Sequence, residues 1–186
     1  GFRVIALAHR ENVPIISNFD ELGNEKHFIF DGFVEVADVL RDEARPAIAQ
    51  AKHAGINVSM ITGDHFETAF HIGKKLGIVE SRDQVFDSRK MNSLSDSELF
   101  EAIKDVRVFA RVTPENKFRI LSIYKNSHIV AMTGDGVNDV PALSNAHVGV
   151  AMGSGASIAK DAGSIILLDN NFKSIISAVH EGRTIY

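Results

Sequence analysis

Cysteine is missing from all 186 residues. Its absence removes disulfides, zinc ribbons and thiol nucleophiles from consideration. Cysteine-free chains are at home in the cytosol, although the absence does not settle a compartment. A basic excess is missing as well: the formal net charge is −4 and the pI is about 6.1. Nucleic-acid surfaces usually carry such an excess, so no nucleic-acid partner is expected. Long apolar runs are also lacking. The longest unbroken one is Val4–Ala8, whereas a membrane-spanning helix needs about 20 predominantly apolar residues. The opening GFRVIALAHREN is too short and too soon interrupted for a secretory signal. It begins inside a strand pattern, which reads as a cut through a longer chain. No internal repeat or low-complexity tract is present. What remains is ordinary for a globular protein, with 45% hydrophobic and 24% charged residues. The length suits one domain or one and a half.

Short apolar runs alternate with longer amphipathic ones. Strands are expected over 2–8, 27–36, 56–61, 106–110, 128–133, 147–152 and 164–168. Most are rich in Val, Ile, Phe or Met, bounded by turn residues and continuously apolar, as in strands buried on both faces of a parallel sheet. Helices are expected over about 43–54, 65–76, 96–104 and 156–161. Others start at Pro114 behind Thr113, near Asn138–Asp139, and near Asn171. Asp64 with Glu67 forms a D-x-x-E pattern suited to capping the second helix. Ala69, Ile72 and Leu76 mark its inner face, and Phe118, Leu121 and Tyr124 that of the fourth. Residues 9–27 read as a linker or surface excursion, and 80–95 as a loop with at most one short strand. The alternation gives an α/β fold with a mostly parallel sheet.

In such sheets ligands bind beyond the carboxyl ends of the strands. That rule selects Thr62-Gly63-Asp64, Arg111, and the run TGDGVND at 133–139. A carboxylate in a tight glycine turn can approach a hard cation, and magnesium needs only one or two carboxylates plus waters and phosphate oxygens. Asp135 is the best ligand candidate. Asp139 lies at a helix start and can support the ion, a magnesium-bound water or a nearby lysine. Thr62, at a strand end before a helix, can grip a phosphoryl oxygen. Lys117, in the first turn of a helix behind Arg111, can neutralise phosphate charge. Each has a plainer reading: Asp139 as a cap, Asp135 as a turn residue, Thr-Gly-Asp as a strand-to-helix turn, Lys117 as a solvated lysine. Together they form three of the four parts of a phosphoryl-transfer site. The fourth is a nucleophile, which in aspartyl-phosphate chemistry is a carboxylate next to the metal.

The segments ITGDHFETAFHIGKKLGI, FARVTPENKFRIL, MTGDGVNDVPALSNAHVGVAMGSG and SIILLDNNFKSIISAVHEGRTIY closely resemble successive signatures of the P-type, or E1–E2, cation-transporting ATPases, in the calcium- and sodium-pump branch. The resemblance is to their phosphorylation domain, a HAD-like Rossmannoid fold of the haloacid dehalogenase superfamily, and it covers nearly the whole chain. It implies Asp135 as the principal magnesium ligand with Asp139 in support. It places Asn138 near the phosphoryl oxygens, Thr62 on the phosphoryl group and Lys117 as its counter-charge. Arg3, Asp64 and Arg111 match positions that approach ATP when two cytoplasmic domains close. Asp38 and Arg41 match the D-P-x-R hinge, with Val39 where proline is usual and Asp42 at another common proline. Ala156 stands where threonine is common. The implied division is residues 1–27 as the end of the nucleotide-binding domain and hinge, and 28–186 as the phosphorylation domain. The implied partners are the pump's own nucleotide-binding, actuator and transmembrane domains, with this part on the cytoplasmic side of an integral membrane protein. The transported cation is not legible, because its ligands would lie in membrane helices.

The family's phosphorylated aspartate lies in D-K-T-G-T, and no D-K-T occurs here. The resemblance places that motif upstream, on the strand between those ending at Thr62 and Thr133. An incomplete sheet is therefore expected: closed by FRVIALA or HFIFDGFVEV, or completed by dimerisation through unpaired edges. By itself the chain is expected to turn over no ATP. Two rival readings remain. One is a free-standing phosphatase with Asp31 of HFIFDGF as nucleophile, although Phe33 and Glu35 occupy the remaining positions of D-x-D-x-T. The other is a non-enzymatic magnesium-binding module.

Overall fold

The computed structural model describes residues 3–11, 28–36 and 39–186, with only the backbone described for Arg3. The chain divides into two compact units, 1–40 and 41–186. The second strand belongs to the first of these units.

In the first unit, β1 (Arg3–His9) and β2 (Ile29–Val36) pair antiparallel, from Arg3 opposite Val36 to His9 opposite Ile29. Leu7 faces Gly32 and Ala8 faces Phe30, so Asp31 is the extra residue of a bulge. Gly32 takes φ 146°, a region that essentially only glycine enters. Val, Ile and Phe make good strands, yet both faces of this hairpin expose apolar side chains, including Val4, Phe30 and Phe33.

The second unit holds two three-stranded parallel sheets. One has the order β3 (Met60–Ile61), β5 (Val108–Ala110), β4 (Val85–Asp87). The other has β6 (Ala131–Gly134), β7 (Val148–Met152) and β8 (Ile165–Leu167) in sequence order. The short strand anticipated within 80–95 is β4. The expected closure of the sheet by FRVIALA or HFIFDGFVEV is corrected. Those segments are β1 and β2, and they pair with each other. Among the described residues no strand pairs β3 with β6.

Seven helices surround these sheets among the described residues: α1 (Ala44–His53), α2 (Phe66–Lys75), α3 (Asp96–Ile103), α4 (Pro114–Lys125), α5 (Val140–Asn145), α6 (Ser157–Ala162) and α7 (Phe172–Ile185). Their ends follow local chemistry. Gly55 and Gly77 end α1 and α2 at φ 74° and 73°. Ser95 and Glu98 form a capping box on α3. Thr113 caps α4 ahead of Pro114.

Side-chain alternation along β5 separates two cores. Val108 and Ala110 join Ile48, Ala69, Phe70 and Val79 on one face. Phe109 joins Met91, Leu99, Ile103, Ile120 and Ile123 on the other. A third cluster contains Leu121, Met132, Leu143 and Ala159. Helix α4 therefore straddles the two sheets, giving Ile120 and Ile123 to one and Leu121 to the other. On the opposite face Phe172 of α7, which follows β8, packs against the first cluster. Helices, not strand pairing, hold the sheets together. This explains two corrected faces. Phe118 of α4 is 39% exposed because the residues turned toward the sheets are Ile120, Leu121 and Ile123. In α2 the buried residues are Ala69, Phe70 and Gly73, with Ile72 and Leu76 half-buried, because Gly73 lets the helix sit directly on Val108.

Candidate functional site

Strand ends of both sheets build the site. Past β3, the Thr62 N–H donates to the Phe109 carbonyl at 2.9 Å. The Val112 N–H donates to Thr62 O at 3.0 Å, and the Arg111 N–H to Asp64 O at 2.8 Å. The ends of β3 and β5 are thereby stitched together, and Arg111 makes the turn in left-handed backbone at φ 54°. The Thr62 hydroxyl donates to Asp64 Oδ2 at 2.8 Å and accepts the Asp64 N–H at 3.1 Å. Asp64 is thus held on Thr62. The expected D-x-x-E cap of α2 is corrected: His65 is the N-cap residue, with no side-chain cap, and Glu67 forms a two-pronged pair with Arg82 at 2.6 and 2.7 Å.

Sequence reading missed Asp87 at the end of β4. Its carboxylate accepts Arg89 Nε at 3.0 Å and Nη2 at 2.7 Å, and lies 3.8 Å from Arg111 Nε. The Arg89 bond, aided by its charge and that of Arg111, holds the Asp87 carboxyl below the usual carboxylate range. The available signal was the one that picked out Thr62: a polar residue directly after a short apolar run, VF.

In the second sheet, β6 ends at Gly134. The Asp135-Gly136 turn leads through a 3-10 turn at Val137–Asp139 into α5. Asp139 is 7% exposed, one of two buried polar side chains among the described residues. Its Oδ2 accepts the N–H groups of Asp135 and Gly136, each at 3.1 Å, and its Oδ1 accepts Lys117 Nζ. Burial pushes the Asp139 carboxyl up. The Lys117 ammonium and the two N–H groups outweigh it and leave the carboxyl below its ordinary range. The close fit requires Gly134, where a Cβ would stand 2.5 Å from Asp139 Cβ. Asp135 and Asn138 are exposed at the rim of the turn.

The first turn of α4 joins the two groups. Its cap, Thr113, stands two residues after Arg111, with the Thr113 hydroxyl accepting the Asn116 N–H at 3.3 Å and the Thr113 carbonyl accepting the Lys117 N–H at 2.9 Å. From there Lys117, whose side chain is 19% exposed, reaches Asp139. Thr62, Asp64, Arg111, Lys117, Asp135, Asn138 and Asp139 are therefore connected through one short stretch of backbone. Arg41 is engaged elsewhere, with Nη1 donating to the Asn170 carbonyl at 2.7 Å. Arg3 lies in β1 of the first unit, and Asp38 falls outside the described residues. Asp31, the rival nucleophile, is in the antiparallel hairpin, its Oδ1 2.6 Å from His9 Nδ1.

No group of three or more His, Asp or Glu able to cage a metal occurs among the described residues. An exposed Asp135 carboxylate fits magnesium all the same, since that ion keeps its waters and takes few protein ligands. Asp139 has both carboxylate oxygens engaged, so its geometry suits shaping the turn and positioning Lys117.

Residues 8–147 match the sequence pattern of haloacid dehalogenase-like hydrolases, and 119–179 match a second pattern of the same description. The chain belongs to the haloacid dehalogenase-like hydrolases. Within that family its homologues are P-type ATPases. Calcium-transporting ATPase 1 of Lactococcus lactis is 46% identical over 100% of this chain and 21% of its own length. The calcium-transporting ATPase of Bacillus subtilis is 48% identical over 87% of this chain and 18% of its own length. The chain thus spans about a fifth of these relatives. A solved catalytic domain of the CPx-ATPase CopB-B, described for its conformational changes on nucleotide binding, is 27% identical. It superposes with a TM-score of 0.59 over 82% of this chain and 52% of that one. The resemblance drawn from the motifs is borne out, and with it the incomplete HAD-like sheet.

Proposed function

We propose that this chain is the C-terminal part of the phosphorylation domain of an ATP-driven cation pump that hydrolyses ATP through an aspartyl phosphate. The observation that carries this reading is the Lys117–Asp139–Asp135 arrangement, linked through the start of α4 and the Val112 N–H to Thr62 at the carboxyl ends of parallel strands. Asp135 binds magnesium, which when bound screens phosphate charge and aligns the transferred group. Thr62 and Asn138 hold phosphoryl oxygens, and Lys117, oriented by Asp139, neutralises them. Arg111, braced by Asp87, faces ATP with Asp64. Arg3, Asp38 and Arg41 serve the nucleotide side and the hinge. The nucleophilic aspartate belongs to a strand lying between β3 and β6 in the longer protein. Sequencing the reading frame upstream of Gly1 tests this: a D-K-T-G-T motif is expected there, and its absence overturns the reading.

The longer protein would sit in a membrane with this unit on the cytoplasmic side, working with nucleotide-binding, actuator and transmembrane domains. Calcium is the first cation to test, given the activities named for the relatives. For the isolated chain, the edges of β3 and β6 that have no strand partner among the described residues favour self-association. Light scattering should show a dimer that dissociates on dilution; a monomer at every concentration removes this part of the proposal.

A further inference from the structure

Two non-glycine residues among those described adopt left-handed backbone, Arg111 and Asn170. Arg111 is accounted for by the site. Asn170, at φ 53° in the connection from β8 to α7, is not. Outside glycine, asparagine is among the few residues that tolerate this conformation, because its short side chain can bond locally. Here it bonds across the fold. Its Oδ1 accepts the Ser154 N–H at 2.9 Å and the Ser154 hydroxyl at 3.1 Å. Its own N–H donates to Leu167 O at 3.1 Å. Its carbonyl accepts Arg41 Nη1 at 2.7 Å.

Ser154 lies in the loop between β7 and α6, and that loop is wedged on both sides. A Cβ on Gly153 would stand 3.0 Å from Leu167 O, and one on Gly155 would stand 2.7 Å from Asp135 O. The next N–H, of Ala156, donates to Asp135 O at 2.8 Å. A continuous series of contacts therefore runs from Arg41, the first residue of the second unit, through Asn170 and Ser154 to the backbone of Asp135.

We infer that Asn170 is a positioning residue for the Asp135 turn: it pins Ser154, so that the loop 153–156 presents the Ala156 N–H to the Asp135 carbonyl and holds the Asp135 carboxylate toward its cation. This rests on the proposed magnesium role of Asp135. Arg41 acts in the same series, bracing the Asn170 carbonyl from the far side. The backbone conformation and the side-chain acceptor are separable by substitution. Asn170→Gly keeps the left-handed backbone and loses the acceptor. Asn170→Asp keeps an acceptor oxygen. Asn170→Ala loses both.

The test uses the whole 186-residue chain with magnesium chloride as the probe, followed by amide chemical shifts of Gly134, Asp135 and Gly136, with Asp135→Asn as control. Hydrogen exchange of the Ala156 amide is read in parallel. Asn170→Gly and Asn170→Ala are expected to weaken magnesium binding about tenfold, in the range seen when groups that orient a metal ligand are removed. They should also speed Ala156 exchange while leaving β7 amides unchanged. Asn170→Asp should restore both readouts, and Arg41→Ala should give the same loss in milder form. Saturable shifts of equal affinity in all Asn170 variants, with unaltered Ala156 exchange, overturn the inference alone. Shifts absent from the unaltered chain, or persisting in Asp135→Asn, overturn the metal reading and the inference with it.

Discussion

At the residue scale the Lys117–Asp139 pair dominates. A buried carboxylate is tolerated because an ammonium and two backbone N–H groups answer it. Removing the lysine leaves that buried charge to the two N–H groups alone, without its counter-ion, so Lys117→Ala should cost about 3 kcal/mol in urea unfolding. Asp139→Asn in the same background should recover part of it. The pH dependence follows from the direction of the shift. The folded carboxyl is lowered, so its contribution is complete above the unfolded value of about 3.9 and disappears as pH falls through the lower folded one. Asp139→Asn should flatten the acid limb of a stability profile; an unchanged limb refutes the assignment. Gly134→Ala drives a Cβ into Asp139 and should cost about 2 kcal/mol. Gly136→Ala, whose Cβ would meet nothing nearer than 3.7 Å, should cost far less.

At the element scale, the strand-end residues of the candidate site come within reach of one another only because helices carry them there. Helix α4 is central: its capped first turn delivers Lys117, and its body packs on both sheets through Ile120, Ile123 and Leu121. Helix α5 must lie close on β7 to hold the Asp139 turn, and Gly149 permits it. A Cβ there would stand 2.4 Å from the Leu143 carbonyl. Backbone cannot give as a side chain can, so Gly149→Ala should destabilise by about 3 kcal/mol and weaken the proposed magnesium binding at Asp135 as well. Ser95→Ala removes a cap on α3 far along the chain from this turn. It should cost about 1 kcal/mol with no change in magnesium binding. Comparing thermal unfolding and magnesium titration for the two variants separates packing at the site from general stability.

At the scale of the whole molecule, the second unit is two half-sheets joined by helices, and the first is a hairpin with apolar side chains on both faces. Two-stranded hairpins are marginal without further packing. The proposed pump would complete both units. The isolated chain should therefore release no phosphate from ATP with magnesium present. Turnover abolished by Asp135→Ala would contradict the proposal that the nucleophile lies outside this chain. With a general phosphatase substrate, turnover abolished by Asp31→Asn would revive the hairpin carboxylate as a nucleophile. Its pairing with His9 and its bulged position argue against that outcome.

The sequence by itself determined the α/β class, the approximate helix positions and the strand-end residues Thr62, Asp64, Arg111, Asp135 and Asp139. Those features are written locally, in apolar runs, caps such as Thr113-Pro114, and glycines such as Gly55 and Gly77. Homology-bearing motifs around TGDGVND determined the family for the same reason: a tight turn at a strand end needs particular residues in a fixed order. Only the tertiary structure decided which partner each polar group takes. Asp64 turned to Thr62 instead of capping α2, Asp139 closed on Lys117 with both oxygens engaged, and Asp87 emerged beside Arg111. It also decided that β1 and β2 pair with each other, and that among the described residues no strand joins β3 to β6. Except for the local Thr62–Asp64 bond, such choices depend on distances between residues remote in the chain, where several partners of equal chemistry compete and packing selects one.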